Sequence, residues 1–83
     1  MTTERPDISL DLIGHSCPLP VLKARKALGL LAPGAVLEVL ATDPGSPEDF
    51  QAFCGLAGHS LIAQSSVSGV LRFLIKKGKP DPA

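Results

Sequence analysis

The chemistry-bearing residues of this 83-residue chain concentrate in the segment Gly14-His15-Ser16-Cys17-Pro18-Leu19-Pro20. A thiol acts as a nucleophile only as thiolate, and a helix N-terminus favours that form. Cys17 stands where a short strand gives way to a helix, and Pro18 and Pro20 both fall in the first helical turn. The first four N–H groups of a helix have no internal partner, so prolines there remove no hydrogen bond, and they fix φ near the helical value. The expected product is a stiff helix start with a thiol at its positive end. The gain is modest: about 1 kcal/mol from the helix end shifts the thiol–thiolate balance by roughly fivefold. A buried, space-filling cysteine is the competing reading of Cys17.

The second cysteine, Cys54, sits in a different pattern. Phe50, Phe53, Cys54 and Ala57 follow at i, i+3, i+4 and i+7 and form one apolar helical stripe, so Cys54 is expected to pack. No C-x-x-C pair is present, which weighs against a thioredoxin-like redox site. His15, Cys17, Cys54 and His59 have no paired-ligand spacing, so no metal site is expected.

The elements that must position Cys17 are readable from periodicity. Ile8, Leu10 and Leu12 alternate with Ser9 and Asp11, as in a strand with one buried face, and Gly14 ends it. Val21, Ala24, Leu28 and Leu31 keep helical spacing up to Pro33-Gly34, which closes the helix. Ala35 to Thr42 is Val- and Leu-rich and predicts a second strand whose single charge, Glu38, marks its less buried face. Asp43-Pro44-Gly45 predicts a turn, followed by a helix with Ser46 as N-cap and Pro47 at the first position, running to about Ala57. Two strands, Ser60 to Val67 and Val70 to Lys77, flank a hairpin turn at Ser68-Gly69. The order β-α-β-α-β-β predicts an α+β two-layer sandwich, a four-stranded mixed sheet with two helices on one face. Residues 1–7 and 79–83 read as flexible tails around a single domain spanning 8–78.

Composition narrows the function classes. Hydrophobic residues make up 45% and charged residues 19%, which fits a folded chain. Eight Lys and Arg balance eight Asp and Glu, and the three aromatics are all Phe. A single-stranded nucleic-acid binder usually combines a basic groove with stacking rings, so no direct nucleic-acid contact is expected. No apolar run is long enough to span a membrane, and Met1 to Asp7 lacks the features of an export signal, so the expected compartment is the cytoplasm, where both cysteines stay reduced. Lys23, Arg25 and Lys26 form a local basic cluster on this neutral chain. They read either as a solvated helix face or as a collar that docks acidic partners, which Arg72, Lys76 and Lys77 could extend.

The run Cys17-Pro18-Leu19-Pro20 after a short strand and Gly14 resembles the C-P-x-P signature of the TusA (SirA/YedF) family of small sulfur carriers. Arg25-Lys26, Asp43-Pro44, Phe53-Cys54 and the stretch from Arg72 to Gly78 add to the resemblance, which extends from about Ile8 to Gly78. It implies a βαβαββ sandwich akin to the C-terminal domain of bacterial translation initiation factor 3. It further implies that Cys17 carries sulfane sulfur as a persulfide, with Gly14, Pro18, Leu19 and Pro20 supporting the motif and no cofactor beyond the bound sulfur. A cysteine desulfurase or rhodanese-type donor would load Cys17, and an acceptor protein of a sulfur relay would unload it. Such relays serve tRNA thiolation, molybdenum-cofactor biosynthesis or sulfur oxidation. The family's tRNA-relay member has Glu where this chain has Leu19, and Leu-Arg where it has His15-Ser16; these residues border the sulfur and bear on partner choice. The alternatives are a non-catalytic regulatory or RNA-associated binding module, and a thiol redox protein using both cysteines.

Overall fold

A computed structural model describes residues 5–16 and 19–78. The order of elements is β1 (Ile8–Leu12), α1 (Leu19–Gly29), β2 (Val36–Ala41), α2 (Ser46–Ala57), β3 (Ser60–Val67) and β4 (Val70–Lys76). The strands form one sheet in the order β1-β2-β4-β3. β1 and β2 are parallel, with Leu10 opposite Val39, and the other pairs are antiparallel, with Val39 opposite Phe73. A parallel pair needs a crossover, and α1 supplies it. Strand alternation puts Leu12, Leu37, Val39, Ala41, Phe73 and Ile75 on one face, where Ala24 and Leu28 of α1 and Phe50 and Cys54 of α2 cover them. Both helices therefore lie on one side of a mixed sheet, as the element order predicts. The Phe50 and Phe73 rings lock the centre, their centroids 4.8 Å apart and tilted by 35°.

Several local expectations shift. α1 ends at Gly29, short of Pro33-Gly34. Its end tightens through bonds from the Leu30 and Leu31 N–H groups to the carbonyls of Ala27 and Leu28, and Pro33-Gly34 instead occupies a turn closed by Ala35 N–H on the Ala32 carbonyl. Ser46 does not cap α2. Asp43 takes the Gly45 N–H on its carboxylate and the Ser46 N–H on its carbonyl, so the cap position falls on Gly45 and Ser46 is wound into the helix. The Ser46 hydroxyl is buried with no hydrogen-bond partner among the described residues. Ala57, expected in the apolar stripe, is exposed, as are Gly55 and Leu56 beside it in the last turn of α2. The Ser68-Gly69 hairpin turn is present, with φ of 51° and 83° at its central residues.

The ends of the domain are pinned. Asp7, assigned on sequence to the N-terminal tail, donates its N–H to the Val36 carbonyl at 2.7 Å and accepts the Val36 N–H on its carboxylate at 2.8 Å. At the other end, Gly78 donates its N–H to His59 Nδ1 at 3.0 Å. A Cβ at Gly78 would lie 1.8 Å from the Gly58 carbonyl oxygen, so only glycine fits that closure. Residues 1–4 and 79–83 lie outside the described residues.

Candidate functional site

Cys17 and Pro18, the centre of the expected motif, lie outside the described residues; the chain on both sides of them is tightly held. The β1–α1 loop turns at Gly14, whose φ of +88° disfavours any side chain. His15 N–H closes this turn on the Leu12 carbonyl at 3.1 Å. The Gly14 N–H reaches Thr42 Oγ1 at 2.9 Å, tying the loop to the end of β2, and the Ile13 N–H bonds Asp11 Oδ1 at 3.1 Å. On the helix side, the Leu19 N–H donates to the Ser16 carbonyl at 3.0 Å. Pro20 lies in the first turn of α1 and is fully buried, whereas Leu19 is 44% exposed. Gly14 and Pro20 thus have structural work on either side of position 17, and Leu19 presents apolar surface beside it.

A groove of about 470 Å³ opens next to this loop, between β1 and α1. Ile8, Leu10 and Leu12 form its floor, and Ala27 and Leu31 its helical wall. Lys23 and Lys26 stand on that wall, and Asp11 and His15 line the end nearest the motif. The expected basic collar therefore divides. Successive residues advance 100° around a helix, so Arg25 points about 160° away from Lys23 and does not line the groove. Arg72 does not extend the cluster: it lies on the open sheet face, paired with Glu38, whose other oxygen accepts the Ser9 hydroxyl at 2.7 Å. The Ser9 hydrogen bond and the Arg72 guanidinium hold the Glu38 carboxyl below its ordinary value. Lys77 donates its ammonium to the Leu31 carbonyl at 2.5 Å and closes the far end of α1.

Cys54 is buried, 3% exposed, in the core beneath α2. Burial pushes its thiol up to about 11, so it stays protonated near neutral pH. This fits the packing role its stripe predicts and opposes its use as a redox partner. Among the described residues, no group of three or more His, Cys, Asp or Glu side chains comes together to hold a metal. No described helix is long and apolar enough to cross a membrane.

Sequence periodicity missed the groove. It assigns Ile8 and Leu10 to a buried strand face, yet Ile8 is 40% exposed because β1 is the sheet edge and α1 leaves it partly uncovered. The available signal was Leu30, an apolar residue outside the stripe of α1, which is 84% exposed at the groove.

Comparison with known proteins agrees with this architecture. A family model described as Sulfurtransferase TusA matches residues 8–77. The sulfur carrier protein TusA of Allochromatium vinosum is 48% identical over 71 residues, covering 86% of this chain and 93% of that protein. The protein of the same name from Pseudomonas putida is 39% identical over 77 residues, covering 93% of this chain and 96% of its own length. The crystal structure of a SirA-like protein from Desulfitobacterium hafniense superposes with a TM-score of 0.76 at 31% identity, covering 87% of this chain and 99% of that one. With the family match spanning nearly the whole folded region and the strand, loop and helix order intact around position 17, this chain belongs to the TusA family.

Proposed function

We propose that this chain is a sulfur carrier that holds sulfane sulfur as a persulfide on Cys17 and passes it to a cysteine of a partner protein, acting as a sulfurtransferase in that sense. The observation that carries this reading is the family match over residues 8–77, which includes Cys17-Pro18-Leu19-Pro20 at the strand-to-helix junction. In the loading step the Cys17 thiolate attacks the terminal sulfur of a donor persulfide. A new S–S bond forms, the donor's S–S bond breaks, and the donor cysteine leaves as thiolate. In the unloading step an acceptor thiolate attacks the same terminal sulfur and Cys17 leaves as thiolate. Each step breaks one S–S bond and makes another, so no external oxidant or reductant is consumed. The start of α1 favours the anion that appears on Cys17 in both steps.

The donor in this reading is a cysteine desulfurase or rhodanese-type protein, and the acceptor is a relay protein rather than a nucleic acid, given zero net charge and no Trp or Tyr. Loading needs Cys17 as a free thiol rather than a stable disulfide, so this reading expects a reducing compartment, the cytoplasm. The bound sulfur is cargo, and the mechanism calls for no resident cofactor. The test is intact mass after incubation with a cysteine desulfurase and cysteine. The expected result is a gain of one sulfur atom, reversed by a thiol reductant; an unchanged mass contradicts the proposal.

A further inference from the structure

Ile8 and Leu10 share the sheet face whose neighbours Leu37 and Val39 are fully buried, but they floor an open groove, and Leu12 at its end returns to the core. Its shape suits an extended chain. Five residues of β1 run for about 16 Å with apolar side chains at every second position. Among the described residues β1 pairs only with β2, so alternate N–H and C=O groups along its other side face away from the sheet. The groove has a polarity too. Lys23 and Lys26 stand on the helical wall, and the one acidic residue lining it, Asp11, already accepts the Ile13 N–H. One end opens at His15, two residues before Cys17.

We infer that this groove seats an extended segment of the sulfur acceptor, with apolar side chains at alternate positions against Ile8, Leu10 and Leu31, carboxylates facing Lys23 and Lys26, and its accepting cysteine at the His15 end. The inference rests on the sulfur-carrier reading for the acceptor's identity and adds the chemistry by which the acceptor is recognised. Apolar contact supplies affinity, and the two lysines select sign and steer encounter. On the other sheet face the Arg72 guanidinium is already paired with Glu38.

The test uses the full chain and two synthetic peptides of about eight residues, long enough to follow β1. One alternates leucine with glutamate, the other leucine with lysine, and each ends in a cysteine supplied as its mixed disulfide with glutathione. Exchange onto Cys17 releases glutathione as thiol, and the equilibrium reports how strongly the peptide docks. The glutamate peptide should be favoured by about tenfold, in a salt-sensitive manner, and Lys23→Glu/Lys26→Glu should reverse the preference. Backbone amide shifts with Cys17→Ser protein and the reduced glutamate peptide should map to β1 and the Lys23 to Leu31 side of α1. Equal exchange by both peptides, or shifts centred on the open sheet face, would overturn the inference. Groove amides that shift on dilution of the protein alone would assign the groove to a second copy and overturn it too. Disulfide exchange and amide shifts need no sulfur donor, so failure here is distinguishable from failure of the carrier reading, which is read by sulfur loading.

Discussion

Cys17 and Cys54 carry the same thiol, and the parts of the chain that hold them differ. Cys54 is desolvated beneath α2 and its thiol rises to about 11; Cys17 follows a fixed loop and precedes a helix start. The two histidines divide in the same way. His15 lines the groove, whereas His59 serves the fold: its Nδ1 accepts the Gly78 N–H, so its own proton sits on Nε2. Burial, and then the nearby Lys77 ammonium, lower its pKa from the ordinary 6.5. Well above 6.5 the imidazole is neutral in both folded and unfolded chains. As pH falls below that value the unfolded chain takes the proton first, so stability declines until the folded imidazole titrates as well. Thermal melts between about pH 7 and pH 5 should therefore show a falling Tm, and His59→Asn, which lacks a titrating group, should flatten the fall. An identical slope in the variant would contradict this role for His59. Sequence alone placed Cys54 correctly through its stripe, but it gave no sign of His59's role, because Gly78 is 19 residues away.

The strand–loop–helix unit from Ile8 to Gly29 flanks Cys17 on both sides in the chain, and much of it is legible in the sequence. Alternation from Ile8 to Leu12, helical spacing from Val21 to Leu28, and Gly14 between them set its order. The helix ends are less legible. Ser46 looks like a cap, yet Asp43 outcompetes it by offering both a carboxylate and a carbonyl to the turn. Proline at the start of α1 is the feature with a consequence for transfer. Pro20 is fully buried in the first turn, fixing where α1 begins relative to the loop that Thr42 and Leu12 hold. Replacing Pro18 and Pro20 together with Ala should loosen that start. Transfer to a protein acceptor should slow by about tenfold, more than alkylation of the thiol by a small reagent, because docking two sulfurs demands tighter geometry. Thermal melting establishes that the variant is folded. Wild-type transfer in a folded variant would make the prolines ordinary helix-start residues.

At the scale of the whole molecule, both helices cover one face of the sheet, and the β1 edge carries the groove. Gly78 against Gly58 and Asp7 against Val36 hold the two ends of the domain. Most of the core was readable because its buried positions repeat with the period of their element; Val36 and Leu74, buried on the other sheet face, break that alternation. The groove was not, because it depends on β1 taking the sheet edge, and strand order is set by long-range pairing rather than by any local pattern. The basic cluster was legible as Lys23, Arg25 and Lys26, but not that only the two lysines line the groove. The central claim is that one thiol, set by its place in the fold, carries the sulfur. Its most direct test is intact mass of Cys17→Ser and Cys54→Ser after incubation with a desulfurase and cysteine. Cys17→Ser should gain no sulfur, and Cys54→Ser, if it melts cooperatively, should load one atom to nearly the wild-type extent. Loading of Cys17→Ser, or equal loss in both folded variants, would contradict the account.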